Sequence, residues 1–239
     1  MYTSTGSQRK SVVVFGAHPD DVEIGMAGTI SRLAAAGNDV FICVASIPND
    51  RERRMEETRE AARIMGVKEV IFMSIKTPEL GYNRRTIGAI DSIVRSLEPH
   101  SIFTHWVEDS HQDHFNLTRC VIAATRKNHF NVYMYEQTIP GGITPAAFRA
   151  QYLVDVSGFI EQKLDSIRAH ASQIEHNGDW WMEGIRGRAM YRGYQMHSKY
   201  AEAFEVIKIS NDTNLFNGEQ RPARAQLRMV EDMIATAAF

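Results

Sequence analysis

Short, continuous apolar runs alternate along the chain with segments whose apolar residues recur every three or four positions. The run SVVVFGA at 11–17 is brief and wholly apolar, the pattern of a strand buried on both faces. Helical spacing over 24–36 follows and stops at Gly37, a residue suited to the left-handed position that closes a helix. The alternation then repeats, with a strand at 39–46, a charged helix at 51–65 closed by Gly66, and a strand at 69–75. A helix at 84–97 ends near Pro99, and a strand at 101–106, a helix at 113–127 and a strand at 132–137 follow. Beyond 138 the pattern changes to a Pro/Gly-rich IPGGITP segment, a strand at 152–156, a helix at 159–170 and a Gly- and Arg-rich stretch. A strand at 204–209 and a helix from Arg221 complete the chain.

Strands separated by helices predict an α/β fold, Rossmann-like, whose mostly parallel sheet carries helices on both faces. The part after 138 reads as a C-terminal cap on the same unit. The expected organisation is one domain over 11–239 behind a disordered tail at 1–10. The 239 residues include 44% hydrophobic and 23% charged positions, ordinary for a domain with a real core. A net charge of −2 offers no basic excess, which argues against nucleic acid or an acidic membrane surface as partner. Cys43 and Cys120 both lie in apolar runs and read as buried thiols. With a polar N-terminus and no apolar stretch of spanning length, they predict a soluble, cytoplasmic protein.

Two clusters carry the chemistry. AHPDD, at 17–21, lies where the first strand gives way to the first helix, and strand C-terminal ends are where open α/β sheets place their sites. His18 and Asp21 are three apart and can converge on one ion, with Pro19 stiffening the turn; the competing reading is an aspartate that caps the helix. DSHQDH, at 109–114, follows the fourth strand and holds His111, Asp113 and His114. In a doubly wound sheet the first and fourth strands are neighbours, so both clusters face one crevice. Histidines and carboxylates without a suitable cysteine suit zinc better than calcium or magnesium. Three protein ligands and an open position are the catalytic pattern, and the spare carboxylate and histidine can serve as base and as oxyanion or leaving-group partner.

A-H-P-D-D paired with H-x-D-H resembles the LmbE-like, or PIG-L, zinc deacetylases. The likeness continues through VEIGMAGTI, RERRMEETREAARIMGV, KLDSIRAHASQ and RGYQMHSKYAEAF. The resemblance implies Zn2+ held by His18, Asp21 and His114, with Asp20 as general base. It implies that His111 stabilises the oxyanion or acts as acid, that Asp113 orients His111, and that Arg53 faces the substrate. It also implies a small N-acetylated sugar as substrate, acetate as product, and a homo-oligomer, trimer or hexamer. ASIPNDRERR departs from the family's Gly/Glu-rich turn after the second strand, which leaves the sugar conjugate open.

Other readings compete: an amidase acting on a thiol conjugate or acylated antibiotic, a metal-dependent sugar-binding protein without catalysis, or a nucleotide-binding protein. The last lacks a G-x-G-x-x-G phosphate loop and would set carboxylates against phosphate. His105 closes the fourth strand as a site contact or a satisfied, partly buried histidine, Glu136 could face the crevice, His170 ends a helix whose carbonyls it could cap, and the competing reading of Arg53 is a solvated ion-paired helix face. Arg188, Tyr191 and Tyr194 could rim it. Trp180 and Trp181 are expected to stack on a sugar or to bury at a subunit contact.

Overall fold

The computed structural model describes residues 9–136, 146–178, 180–210 and 215–216. The expected tail lies mostly outside these residues, as do the IPGGITP segment and the helix from Arg221.

Strands β1 (Ser11–Gly16), β2 (Asp39–Val44), β3 (Glu69–Phe72), β4 (Ser101–Thr104), β5 (Asn131–Tyr135), β6 (Tyr152–Asp155) and β7 (Ala201–Lys208) form one sheet in the order β3-β2-β1-β4-β5-β7-β6. The first five are parallel, and β7 runs antiparallel to both its neighbours. β1 and β4 are therefore adjacent, as the doubly wound order requires. The last two strands extend this sheet, so the C-terminal region builds sheet as well as cover.

Successive side chains of a strand point to opposite faces, and β1 shows why its sequence is apolar throughout. Val12 and Val14 pack with helices α1 (Asp21–Ala35), α2 (Arg51–Met65) and α5 (Ile160–Arg168). Val13 and Phe15 pack on the other face with α3 (Arg84–Leu97) and α4 (Gln112–Thr125). α2 buries a single stripe, Arg54, Glu57, Thr58, Ala61, Ala62 and Met65, and leaves its other charges to solvent.

α1 differs from its expected form. It begins at Asp21, so the second aspartate of AHPDD is already helical, and it breaks at Met26 (φ −153°, ψ 25°). A break orphans backbone groups on both sides. Lys163 Nζ donates to the carbonyls of Glu23 and Ile24 at 3.0 and 2.8 Å, and Arg188 donates to Ile24 O at 2.7 Å. Glu202 accepts from the amides of Gly28 and Thr29 at 3.1 and 2.7 Å and pairs with Lys163 at 2.6 Å. Gly25 lets the break lie against the sheet, since a Cβ there would sit 2.4 Å from the Tyr135 ring.

Two further helices stand where only an irregular Gly/Arg-rich stretch is expected, α6 (Ala171–Asn177) and α7 (Trp180–Gln195). α7 buries Met182, Ile185, Ala189 and Arg192, an i, i+3, i+7, i+10 stripe.

Candidate metal centre and active site

The turn after β1 is held at both ends. Ala17 N–H donates to His105 Nε2 at 2.9 Å, and His18 N–H donates to Asp21 Oδ2 at 2.7 Å. Between them Asp20 adopts a left-handed conformation (φ 89°), uncommon and costly for a residue with a side chain. Arg54 steadies it from α2, donating to Pro19 O at 2.9 Å and approaching Asp20 Oδ1 at 3.7 Å. Although Asp20 occupies the cap position of α1, its carboxylate caps nothing; it borders the crevice. The helix-capping reading of this aspartate does not hold.

The β4–α4 segment supplies the other half. His18 Nε2 lies 2.9 Å from Asp113 Oδ2, and His114 Nδ1 lies 3.1 Å from Asp109 Oδ2. These contacts leave His18 Nδ1 and His114 Nε2 toward Asp21, 3.7 Å from Oδ2 and 3.2 Å from Oδ1. A carboxylate behind each ligating imidazole is how metal centres fix the tautomer and aim the free nitrogen, so the donor set fits a divalent ion of borderline softness. Two trios of donor atoms lie within 4.8 Å of one another, His18–His111–His114 and Asp21–His105–His114. The expected ligands draw on both. His105 is the weaker candidate, because its Nε2 already accepts the Ala17 amide.

Charge follows this packing. Burial resists charge on His114, but Asp21 and Asp109 outweigh it and push its pKa up to about 10. Burial resists charge on Asp21 too, yet His114 and His105 hold it well below the usual carboxylate range. Burial, with His114 adding to it, drives His105 down to about 4. Asp20 moves up to about 8, first through burial and then through the neighbouring charge of Asp21. Burial, then His114 and His18, lowers His111. Its Nδ1 accepts the Asp113 amide at 3.2 Å, so the neutral ring carries its proton on Nε2.

Asp20, Asp21, His111 and His114 border a cavity of about 570 Å³, whose other walls are Ile24 and residues of α6 and α7. A second, more open recess of about 650 Å³ lies along His18, Arg54, Ser110 and Asp113, and it shares Asp20, His111 and Gln173 with the first.

Two expectations need correction. Arg53 does not reach the crevice: it pairs with Glu57 at 3.1 Å and with Glu175 at 2.8 Å, tying α2 to α6. One residue along a helix turns the side chain by about 100°, and Arg54 takes the inward face. Asp113 presents only its backbone amide to His111; its carboxylate holds His18. Asp109 and Arg54 were not expected as site residues. Asp109 stands inside the second motif, and Arg54 continues the buried stripe of α2, so both carried a signal. Glu136 is engaged by Arg192 at 2.9 Å, and His170 is buried 3.2 Å from Glu23.

An open α/β sheet with a histidine–carboxylate cluster at the C-terminal ends of two adjacent strands places a candidate metal site at the switch point of the sheet. Residues 13–125, just under half of the chain, match the family described as PIG-L, GlcNAc-PI de-N-acetylase. It is 29% identical to the diacetylchitobiose deacetylase of Thermococcus kodakarensis over 222 residues, 83% of each chain. The N,N'-diacetylchitobiose deacetylase of Pyrococcus horikoshii, solved with an inhibitor, superposes with a TM-score of 0.72 at 24% identity, covering 86% of this chain and 88% of that one. The 4-carboxy-2-hydroxymuconate hydratase GalB of Pseudomonas putida shares the fold equally well, with a TM-score of 0.74 at 19% identity over 86% and 99% of the two chains. The fold alone therefore does not choose the reaction. Among the described residues no helix is long and apolar enough to cross a membrane.

Proposed function

We propose that this chain is a zinc-dependent N-deacetylase that releases acetate from an N-acetylated hexosamine or its conjugate. The observation that carries the reading is the convergence of His18, Asp21 and His114 beside Asp20, whose carboxylate has no capping duty and borders the cavity. An ion held there supplies Lewis acidity, polarising the amide carbonyl and acidifying water. Asp20, whose carboxylate borders the cavity beside the ligand cluster, takes the proton of the attacking water. His111, kept neutral by its lowered pKa, donates from Nε2 to the developing oxyanion. The proton on Asp20 then passes to the departing amine. Arg54 and Asp113 do not touch the substrate in this scheme; they hold Asp20 and His18 in place. The names of the relatives support the sugar class, while the donor set supports zinc.

The test joins elemental analysis to acetate release from N-acetylglucosamine and N,N'-diacetylchitobiose. Asp20→Asn retains the metal and loses about 10²–10⁴-fold in kcat. A variant with unaltered kcat removes Asp20 from the role of base.

A further inference from the structure

The part of the cavity of about 570 Å³ away from the candidate metal donors has no role in the reaction just described, and its construction is specific. Three α7 residues spaced four apart, Trp180, Gly184 and Arg188, line it, with Trp181 and Ile185 on the adjoining stripe. Trp180 is 74% exposed although it walls a cavity, so it is not there to fill core. At Gly184 an added Cβ would meet nothing within 4 Å, so no packing demand calls for glycine there. Its lack of a side chain leaves a gap one helical turn from the indole. Gln173 and Asn177, one turn apart on α6, add amides to the same cavity. An open indole face, a gap beside it and amide groups within reach are what a pyranose ring needs: an apolar face to stack and hydroxyls to hydrogen-bond.

We infer that Trp180 and Gly184 form a ring-stacking subsite that makes the enzyme selective for a two-ring substrate, an N-acetylated hexosamine bearing a second pyranose, over the free monosaccharide. The inference rests on the deacetylase reading for the ring that reacts, but the subsite itself does not. The cavity of about 570 Å³ is in the middle of the range of about 300–1,000 Å³ that holds drug-sized ligands, and a lone N-acetylhexosamine belongs at the small end. Trp180 and Gly184 set specificity; they do not enter the chemistry.

Full-length, metal-loaded protein is assayed for acetate release from N-acetylglucosamine and N,N'-diacetylchitobiose. The wild type prefers the disaccharide in kcat/KM. Trp180→Ala reduces that preference about tenfold, Trp180→Phe restores much of it, and Gly184→Leu reduces it by filling the gap. A Trp180→Ala variant that lowers both substrates by the same factor, or neither, overturns the inference. If the wild type turns over neither compound, the deacetylase reading fails and calorimetric binding of the disaccharide decides the subsite. Binding weakened by Trp180→Ala upholds it; no binding, or binding unaffected by the change, overturns it.

Discussion

Lys163→Met tests whether the buried Lys163–Glu202 pair supports the break in α1. Both side chains are almost fully enclosed, 2% and 4% exposed. The substitution leaves the Glu202 carboxylate with the Gly28 and Thr29 amides and the nearby charge of Arg188, and it removes the donor to Glu23 O. Breaking a buried pair from one side costs about 3–5 kcal/mol, because the remaining charge keeps its desolvation penalty. The orphaned carbonyl adds about 1–3 kcal/mol, and Arg188 still serves Ile24 O and limits the loss. Against a typical total stability of about 5–15 kcal/mol, the variant is close to its limit. Urea denaturation of the metal-free protein reads the cost as a midpoint shift of roughly 1–4 M for an m-value of about 2–3 kcal/mol/M. Glu202→Gln and the double variant complete a cycle that isolates the coupling between the two side chains. A loss below about 1 kcal/mol for Lys163→Met, or a cycle with no coupling, refutes the claim that this pair holds the broken helix. The break matters for function because Asp21 begins the helical segment that it delimits.

Asp109→Asn and Asp113→Asn leave every expected ligand in place, yet each weakens metal affinity by about 10–100-fold by loosening an imidazole; competition with a chelator measures it, and unaltered affinity in both would remove the supporting carboxylates from the account. Protonation of His114 gives a pH signature to the metal-free protein. Its folded pKa of about 10 exceeds the unfolded value of about 6.5, so its contribution to stability is complete below pH 6.5 and fades as pH rises through about 10. Denaturation midpoints of the metal-free wild type accordingly fall over that window relative to His114→Gln, and parallel profiles would contradict it. Ion binding at pH 7.5 displaces the same proton, so calorimetry in buffers of different ionisation enthalpy gives different apparent heats; identical heats would count against His114 as a ligand.

Much of this architecture was legible in the chain because its cause is local. Continuous apolar runs marked strands covered on both faces, and the adjacency of β1 and β4 followed from the winding order. The start of α1 was less visible: Asp21, Val22 and Glu23 break the apolar spacing that begins at Ile24, and only the tertiary site explains a buried carboxylate there. α7 stayed hidden because Gly184, Gly187 and Gly193 dilute its helical propensity, although its buried stripe has helical spacing. The choice between Arg53 and Arg54 turns on about 100° of helix rotation, which neighbouring charges obscured and the stripe through Thr58 and Ala61 resolves. The part played by Asp113 could not be read at all, since its contact with His18 spans 95 residues.

Under the proposed reading, that span has a consequence for how an ion would be acquired. His18 comes from the first strand–helix turn and His114 from the fourth, so no early fragment of the chain owns the centre. The donors meet only after β1 and β4 have zipped together, late in a chain whose pairing is non-local. An ion that binds only this assembled state shifts the folding equilibrium by mass action, by about 4 kcal/mol when it is present at about a thousand times its dissociation constant. Metal supply would then act as a check on completed folding as well as on turnover.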